Sequence, residues 1–337
     1  MKSRLLGQSG LWVSEICLGT MTFGDRTDEA EAGRIIASAR EAGVNFVDTA
    51  NQYAGGKSET VLGKLIKGDR DRWIVASKCG NTGRPAPDGM SLSRREIVSA
   101  LDASLTRLGL DHVDIYYFHI DDERTRLEES LVAIGDMIRA GKTRYFGLSN
   151  FRGWRIAEVA LLCDKLGVPR PVVCQPYYNA MNRMPEVEVI PASVAFGLGV
   201  VPYSPLARGV LTGKYLPGSE APAESRAGRK DKRMMQTEFR PESMVMAQKI
   251  KVHADKRGMT AGQFALNWVL HNQLVSSVLA GPRTLEQWTG YLGALAHTFN
   301  AGDEALVDGL VPAGHPSTPG YSDPKYPIAG RLVPQES

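Results

Sequence analysis

Four ionisable side chains stand at or just beyond the ends of short apolar runs. Asp48 closes the run Asn45–Asp48 and is followed closely by Tyr53; Lys78 closes Trp73–Lys78; His119 closes Val113–His119. Taken singly, each has a plainer reading: a turn-forming carboxylate, a partly buried ring, a solvated ammonium, a satisfied imidazole. Taken together they need another reason, because apolar strands do not otherwise gather charges and a phenol at one end. A free phenol titrates near about 10 and is a poor proton donor at neutral pH. A neighbouring ammonium favours the phenolate, and a carboxylate keeps a buried ammonium charged. An imidazole can hydrogen-bond a substrate oxygen and orient it. Such a set polarises a carbonyl and hands a proton to the developing alkoxide. It contains no hydride source, so the chemistry implies a cofactor.

Cofactor-site candidates follow later in the chain. Gly147-Leu-Ser-Asn-Phe151 carries small polar groups at the end of a further run, Gln175 ends the next, and Tyr203-Ser-Pro-Leu-Ala-Arg-Gly209 follows the one after. An aromatic ring there suits stacking on a nicotinamide, and amide and hydroxyl groups suit its carboxamide. Gly281-Pro-Arg283 precedes a helix start; free N–H groups at a helix N-terminus beside an arginine make an anion site, although a plain strand-to-helix turn reads equally well.

The elements that position these residues alternate. Strand-like runs at Glu15–Leu18, Asn45–Asp48, Trp73–Lys78, Val113–His119, Thr143–Leu148, Pro171–Gln175, Val200–Tyr203 and Ser277–Ala280 are each followed by a segment able to form a helix. Eight such units predict an α/β fold, a closed (β/α)8 TIM barrel, with catalytic groups at the C-terminal strand ends. Helix starts are marked by Ser93 with Glu96, Thr125 with Glu128, Thr260 with Gln263 and Thr284 with Gln287, each spaced as a capping box. Ile97, Leu101, Leu105 and Leu108 fall on one helical face and are expected in the core. Before the first unit, Arg4–Val13 reads as a β-hairpin able to plug the barrel bottom.

Two regions break the rhythm. Lys214–Arg240 reads as a long loop after strand seven. Its Arg226, Arg229, Lys230, Lys232 and Arg233 suit either a phosphate or, more simply, a solvated charged surface. The tail from about Ala301, rich in Gly and Pro, reads as irregular chain able to fold over the barrel mouth. One domain over 1–337 is expected, with the barrel at about 11–297 and the tail at about 298–337.

Composition narrows the classes. The chain has 337 residues, 43% hydrophobic and 23% charged, which is ordinary globular usage. A net charge of +3 is too small to imply nucleic acid or an acidic membrane as a main partner. No run is apolar enough to span a bilayer and no early stretch reads as a signal peptide. Cys17, Cys79, Cys163 and Cys174 lie far apart, which fits free thiols in a reducing cytoplasm. The strand-end set, not the composition, points to a small-molecule carbonyl substrate; oligomeric state stays open.

With these motifs in order, the chain resembles the aldo/keto reductase superfamily from about Leu11 to about His297. The resemblance rests on Asp48-Thr-Ala-Asn-Gln-Tyr53, Ser77-Lys78, Tyr117-Phe-His119, Gly147-Leu-Ser-Asn-Phe151, Gln175-Pro-Tyr-Tyr-Asn179 and Tyr203-Ser-Pro-Leu-Ala-Arg-Gly-Val-Leu-Thr-Gly-Lys214. The long loop resembles the bacterial branch related to potassium-channel β subunits. The resemblance implies an NADPH-dependent reductase of aldehydes or ketones. In it Tyr53 is the general acid/base, Lys78 and Asp48 tune it, and His119 orients the carbonyl. Ser149, Asn150 and Gln175 would hold the nicotinamide carboxamide, and Tyr203 would stack on its ring. Ser204, Pro205, Leu206, Arg208, Gly209 and Lys214 would follow the pyrophosphate. Gly281, Arg283, Gln287 and Tyr291 would surround the adenosine. Gly19, Thr20 and Met21 would complete the cofactor contacts, and Phe23 with Tyr53 and His119 the substrate contacts. Gln287 and Tyr291 stand where many relatives carry a basic residue and an asparagine, which leaves NAD(H) open beside NADP(H).

Two other classes compete. A cofactor-binding regulatory subunit with little turnover is allowed by the channel-subunit resemblance. A metal-dependent barrel hydrolase would want clustered histidines, and the sequence contains no His-x-His pair; no metal site is expected.

Overall fold

The structure is a computed structural model that describes residues 1–81, 91–328 and 330. Strands β1 (Ser3–Leu5) and β2 (Trp12–Ser14) pair antiparallel with Arg4 opposite Val13, forming the expected hairpin. Eight parallel strands follow: β3 (Ile16–Gly19), β4 (Phe46–Asp48), β5 (Ile74–Cys79), β6 (Val113–Phe118), β7 (Thr143–Ser149), β8 (Val173–Gln175), β9 (Gly199–Val200) and β10 (Val278–Ala280). Each of the eight expected runs overlaps one of them, the seventh only at Val200, because the strand there is just Gly199–Val200. Their order is β10-β3-β4-β5-β6-β7-β8-β9, each hydrogen-bonded to the next. The ring closes between its outer members through a bridge from Val200 to Val275, with Ser276 N–H donating to Val200 O at 2.8 Å and Leu279 N–H to Pro202 O at 3.0 Å. With helices packed outside, this is a (β/α)8 barrel.

The two-residue period of a strand divides the core into two shells. Cys17, Phe46, Ala76, Ile115, Tyr117, Val173 and Val201 cluster inside the barrel, together with Leu6 and Val13 from the hairpin. The hairpin therefore closes the bottom, and Arg4 fastens it by donating to Val275 O at 2.7 Å and Leu270 O at 3.0 Å. The alternate residues, such as Val47, Val75, Tyr116 and Phe118, pack outward against the helices, as do Ile97, Leu101, Leu105 and Leu108. Gly147 has a local reason: a Cβ there would meet Val173 Cγ1 at 2.5 Å and Tyr117 Cε1 at 2.7 Å, so only glycine lets β7 pass beside the packed Tyr117 ring.

The helix starts follow the expectations unevenly. Thr260 and Gln263 form a complete capping box. Ser93 and Thr284 cap with their side chains, but Gln287 reaches back to the Arg283 N–H instead of that of Thr284. Thr125 is not a cap. The helix Leu127–Arg139 starts after Arg126, and the Thr125 hydroxyl donates to Asp122 Oδ2 at 2.6 Å. A buried carboxylate nearby wins that hydroxyl from the helix end.

The irregular regions are more ordered than their composition suggests. The segment after β9 holds a short helix, Lys232–Thr237, capped by Asp231. Within the tail, Ala301–Leu310 is an α-helix, which corrects the expectation of irregular chain there. Asn300 and Asp303 form a capping box, and Asp303 and Val307 are buried, outweighing the glycines at positions 302 and 309. Among the described residues, no helix is long and apolar enough to cross a membrane.

Candidate active site

The barrel's inner alternation carries straight into the site. Two residues above Phe46, Ala76, Tyr117, Val173 and Val201 stand Asp48, Lys78, His119, Gln175 and Tyr203. Each inward-facing core residue is thus succeeded, one strand period later, by a polar group at the C-terminal rim.

Lys78 is fully buried and donates to Asp48 Oδ1, to Thr49 O at 2.7 Å and to the Tyr53 hydroxyl at 3.3 Å. Its ammonium also lies 4.8 Å from the Tyr53 ring centroid. The Tyr53 ring meets the His119 ring edge-on, with centroids 5.9 Å apart. Tyr53 opens a tight turn, Tyr53–Gly56, in which Ala54, Gly55 and Gly56 all have positive φ. Gly56 needs its freedom, because at φ +91° it stands at the start of helix Lys57–Ile66 and a Cβ would lie 2.8 Å from Arg107 Cδ. That turn aims the phenol back over the strand ends.

Burial and charge set the protonation states. Burial pulls the Lys78 ammonium down, but Asp48 and Tyr53 together outweigh it, and the lysine is held charged. Burial pushes the Asp48 carboxyl up against the opposing pull of Lys78 and Gln175. Burial also pushes the Tyr53 phenol up, and Lys78 reverses only part of that. The ammonium does act on the phenol as expected, yet the phenol stays above its ordinary value because desolvation is the larger effect. Burial, then the Lys78 and Lys325 charges, hold His119 well below its ordinary value, so the imidazole is neutral at neutral pH.

A cleft of about 700 Å³ opens above these groups. Tyr53, Asp48 and His119 line it, with Lys78 immediately behind. Gly19, Met21, Ser149, Asn150, Gln175, Tyr203, Ser204, Pro205, Leu206, Arg208, Gly209, Lys214, Gly281, Arg283, Gln287 and Tyr291 also line it. Thr20 and Phe23 do not, which corrects two expectations. Thr20 is fully buried and bonds Asp48 O and Ser58, bracing the strand end from behind. Phe23 is a fully buried core ring, so no substrate can reach it.

Six of the lining residues are joined in one chain of hydrogen bonds. Asn150, at φ 62°, donates to His119 O at 2.8 Å and to Ser149 Oγ at 3.0 Å, and accepts from the Tyr203 hydroxyl at 2.8 Å. Ser149 donates to Gln175 O at 3.0 Å, and Gln175 donates to Asp48 Oδ2 at 3.0 Å. Tyr203 is backed by Tyr177, stacked at 5.6 Å. Further along, Arg208 sits in a left-handed kink and pairs with the fully buried Glu238 at 2.9 Å.

Of the five clustered basic residues between 226 and 233, Arg226 and Arg233 line the cleft; Arg229, Lys230 and Lys232 are exposed. The segment thus divides its basic residues between the cleft and the solvent. Sequence reasoning missed Gln52, Asn81, Lys325 and Tyr326 as lining residues. For Lys325 and Tyr326 the signal was the expectation that the tail covers the mouth; no motif marked them.

Comparison with known proteins places this geometry. The model of the aldo/keto reductase family matches residues 15–312. The chain is 38% identical over 286 residues to a "Probable voltage-gated potassium channel subunit beta" of Arabidopsis thaliana, covering 83% of this chain and 87% of the relative. It is 34% identical over 330 residues to "Uncharacterized oxidoreductase YrpG" of Bacillus subtilis (strain 168), covering 95% and 98%. It is 33% identical over 323 residues to "L-glyceraldehyde 3-phosphate reductase" of Escherichia coli (strain K12), covering 91% and 92%. A barrel whose strand ends converge a phenol, an ammonium, a carboxylate and an imidazole, matched over most of its length, belongs to the aldo/keto reductase family.

Proposed function

We propose that this oxidoreductase reduces aldehydes or ketones to alcohols using NADP(H), with Tyr53 as the proton donor. The observation that carries the reading is the contact of Lys78 with both Asp48 and Tyr53 at the floor of the cleft. The lining fits a dinucleotide phosphate: Lys214 and Arg283 have no carboxylate within 4.0 Å among the described residues, and Arg226 adds a third cation, paired with Asp231 only at 3.6 Å. The exposed face of Tyr203 suits a flat ring, with the bonded set Ser149, Asn150 and Gln175 beside it. A bound nicotinamide dinucleotide supplies the hydride.

The chain's own residues do the rest. His119, neutral, hydrogen-bonds the carbonyl oxygen and turns it toward Tyr53. The Tyr53 hydroxyl, held protonated by its buried setting, gives its proton to the oxygen as negative charge develops there. The Lys78 ammonium, 3.3 Å away, stabilises the resulting phenolate. Asp48 keeps that ammonium charged, and Gln175 keeps Asp48 in place.

The test is consumption of NADPH with 4-nitrobenzaldehyde by the purified chain, and binding titrations of NADPH and NADH. The alternative is a cofactor-binding subunit with little turnover, motivated by the names of the channel-subunit relatives. Tight NADPH binding without turnover across a panel of reactive carbonyls would favour that alternative.

A further inference from the structure

We propose that Lys325 receives an anionic group of the substrate, so that the preferred carbonyl compounds carry a phosphate or a carboxylate. This deepens the reductase reading and rests on it. Lys325 lies in the tail, far in sequence from the barrel, yet it lines the cleft together with Tyr53, His119 and Tyr326.

Its position is built, not incidental. Asp323 accepts two hydrogen bonds from Arg233, at 3.0 and 2.6 Å, and a third from the Lys325 backbone N–H at 2.9 Å. The next turn is tied down by Arg152, which donates to Tyr326 O at 2.7 Å and Pro327 O at 2.9 Å. Between these two clamps Lys325 is an exposed residue that lines the cleft, and its ammonium has no carboxylate within 4.0 Å among the described residues. Arg152 likewise donates to backbone carbonyls there, and among the described residues Asp323 forms its ion pair with Arg233.

The rest of the cleft sharpens the point. Its described carboxylates are Asp48, bonded to Lys78, and Glu286, on the helix that also carries Gln287 and Tyr291. Lys214, Arg226 and Arg283 suit the phosphates of the dinucleotide. Lys325 is a further cation of the cleft, close enough to His119 for its charge to disfavour the imidazolium. Low-dielectric walls with one sign of charge concentrate small anions of the other.

The test compares charged and neutral partners with the full chain and NADPH: glyceraldehyde 3-phosphate against glyceraldehyde, and 4-carboxybenzaldehyde against 4-nitrobenzaldehyde. The charged member of at least one pair should show the higher kcat/KM, and Lys325→Met should lower the charged-to-neutral ratio about tenfold, with Lys325→Arg restoring it. Preference in the first pair alone assigns a phosphate, and in the second alone a carboxylate. A parallel titration with benzoate and benzyl alcohol, read by intrinsic fluorescence, reports the preference without turnover. Equal ratios in both pairs, or a Lys325→Met variant with the wild-type ratio, overturn the proposal. Absence of turnover on all four compounds, with benzoate still preferred and that preference lost in Lys325→Met, would instead sink the reductase reading and leave this one standing.

Discussion

Gln175 donates its side-chain amide to Oδ2 of Asp48, the oxygen that Lys78 leaves free, across 3.0 Å of a buried interior. The carboxylate at the floor of the cleft is therefore bonded on both oxygens, one to an ammonium and one to an amide. Gln175→Leu removes the amide and leaves one oxygen of a buried carboxylate unsatisfied, at a cost of about 1–3 kcal/mol. Urea unfolding of this variant should show that loss; a change within error would mean the contact does not matter to the fold.

Removing the phenolic hydroxyl tests the proton donor. Tyr53→Phe should lower kcat about 10³-fold while the dissociation constant for NADPH stays within about twofold. Steady-state kinetics and a fluorescence titration read the two quantities separately. Retention of wild-type kcat would remove Tyr53 from the mechanism.

The Asp48–Lys78 pair is buried on both sides. Lys78→Met strands the carboxylate and should destabilise the protein by about 3–5 kcal/mol, whereas the double change Asp48→Asn with Lys78→Met removes both charges and should cost less than Lys78→Met alone. Denaturant midpoints of the three variants decide this. A double variant no more stable than Lys78→Met would show that the pair is not held together by mutual charge.

His119 gives a pH signature. Its folded pKa is depressed by burial and by the Lys78 and Lys325 charges, so below the unfolded imidazole value of about 6.5 the unfolded chain binds the extra proton. Stability is unaffected by this group above that value and falls as pH drops below it, by at most about 1.4 kcal/mol per pH unit. His119→Gln should flatten the pH dependence between about 6.5 and 5. An unchanged slope would mean that the imidazole titrates normally in the fold.

The preference between dinucleotides should lie in the cations at the far end of the cleft. Arg283→Ala should raise the dissociation constant for NADPH about tenfold and change that for NADH far less. Equal weakening of both would place Arg283 against a group the two cofactors share.

Much of this was legible in the sequence because strand periodicity and site position are one pattern. Phe46 and Asp48, Ala76 and Lys78, Tyr117 and His119 are successive inward positions, so finding the strands located the site. What escaped was decided by long-range partners. Thr125 fits a cap by spacing, but Asp122 takes its hydroxyl. Phe23 is expected among the substrate contacts, but the outer shell encloses it. The helix Ala301–Leu310 was hidden by its glycines and is held by Asp303, which bonds His253 and Arg257 from a distant helix. Lys325 reached the cleft through Arg233 and Arg152, contacts that no local motif records.

The ring of strands is not equally strong all the way round. β6 is joined to β7 by five paired positions, from Val113 to Phe118, whereas Val200 meets Val275 through a lone bridge. That thin seam is also where the chain leaves to build Tyr203, Arg208 and the long segment behind them. Backbone amides at Ser276 and Leu279 should consequently exchange with deuterium sooner than those of β6, and a dinucleotide lying along Tyr203–Gly209 should slow them, acting as a stave-hoop for the barrel as well as a reactant.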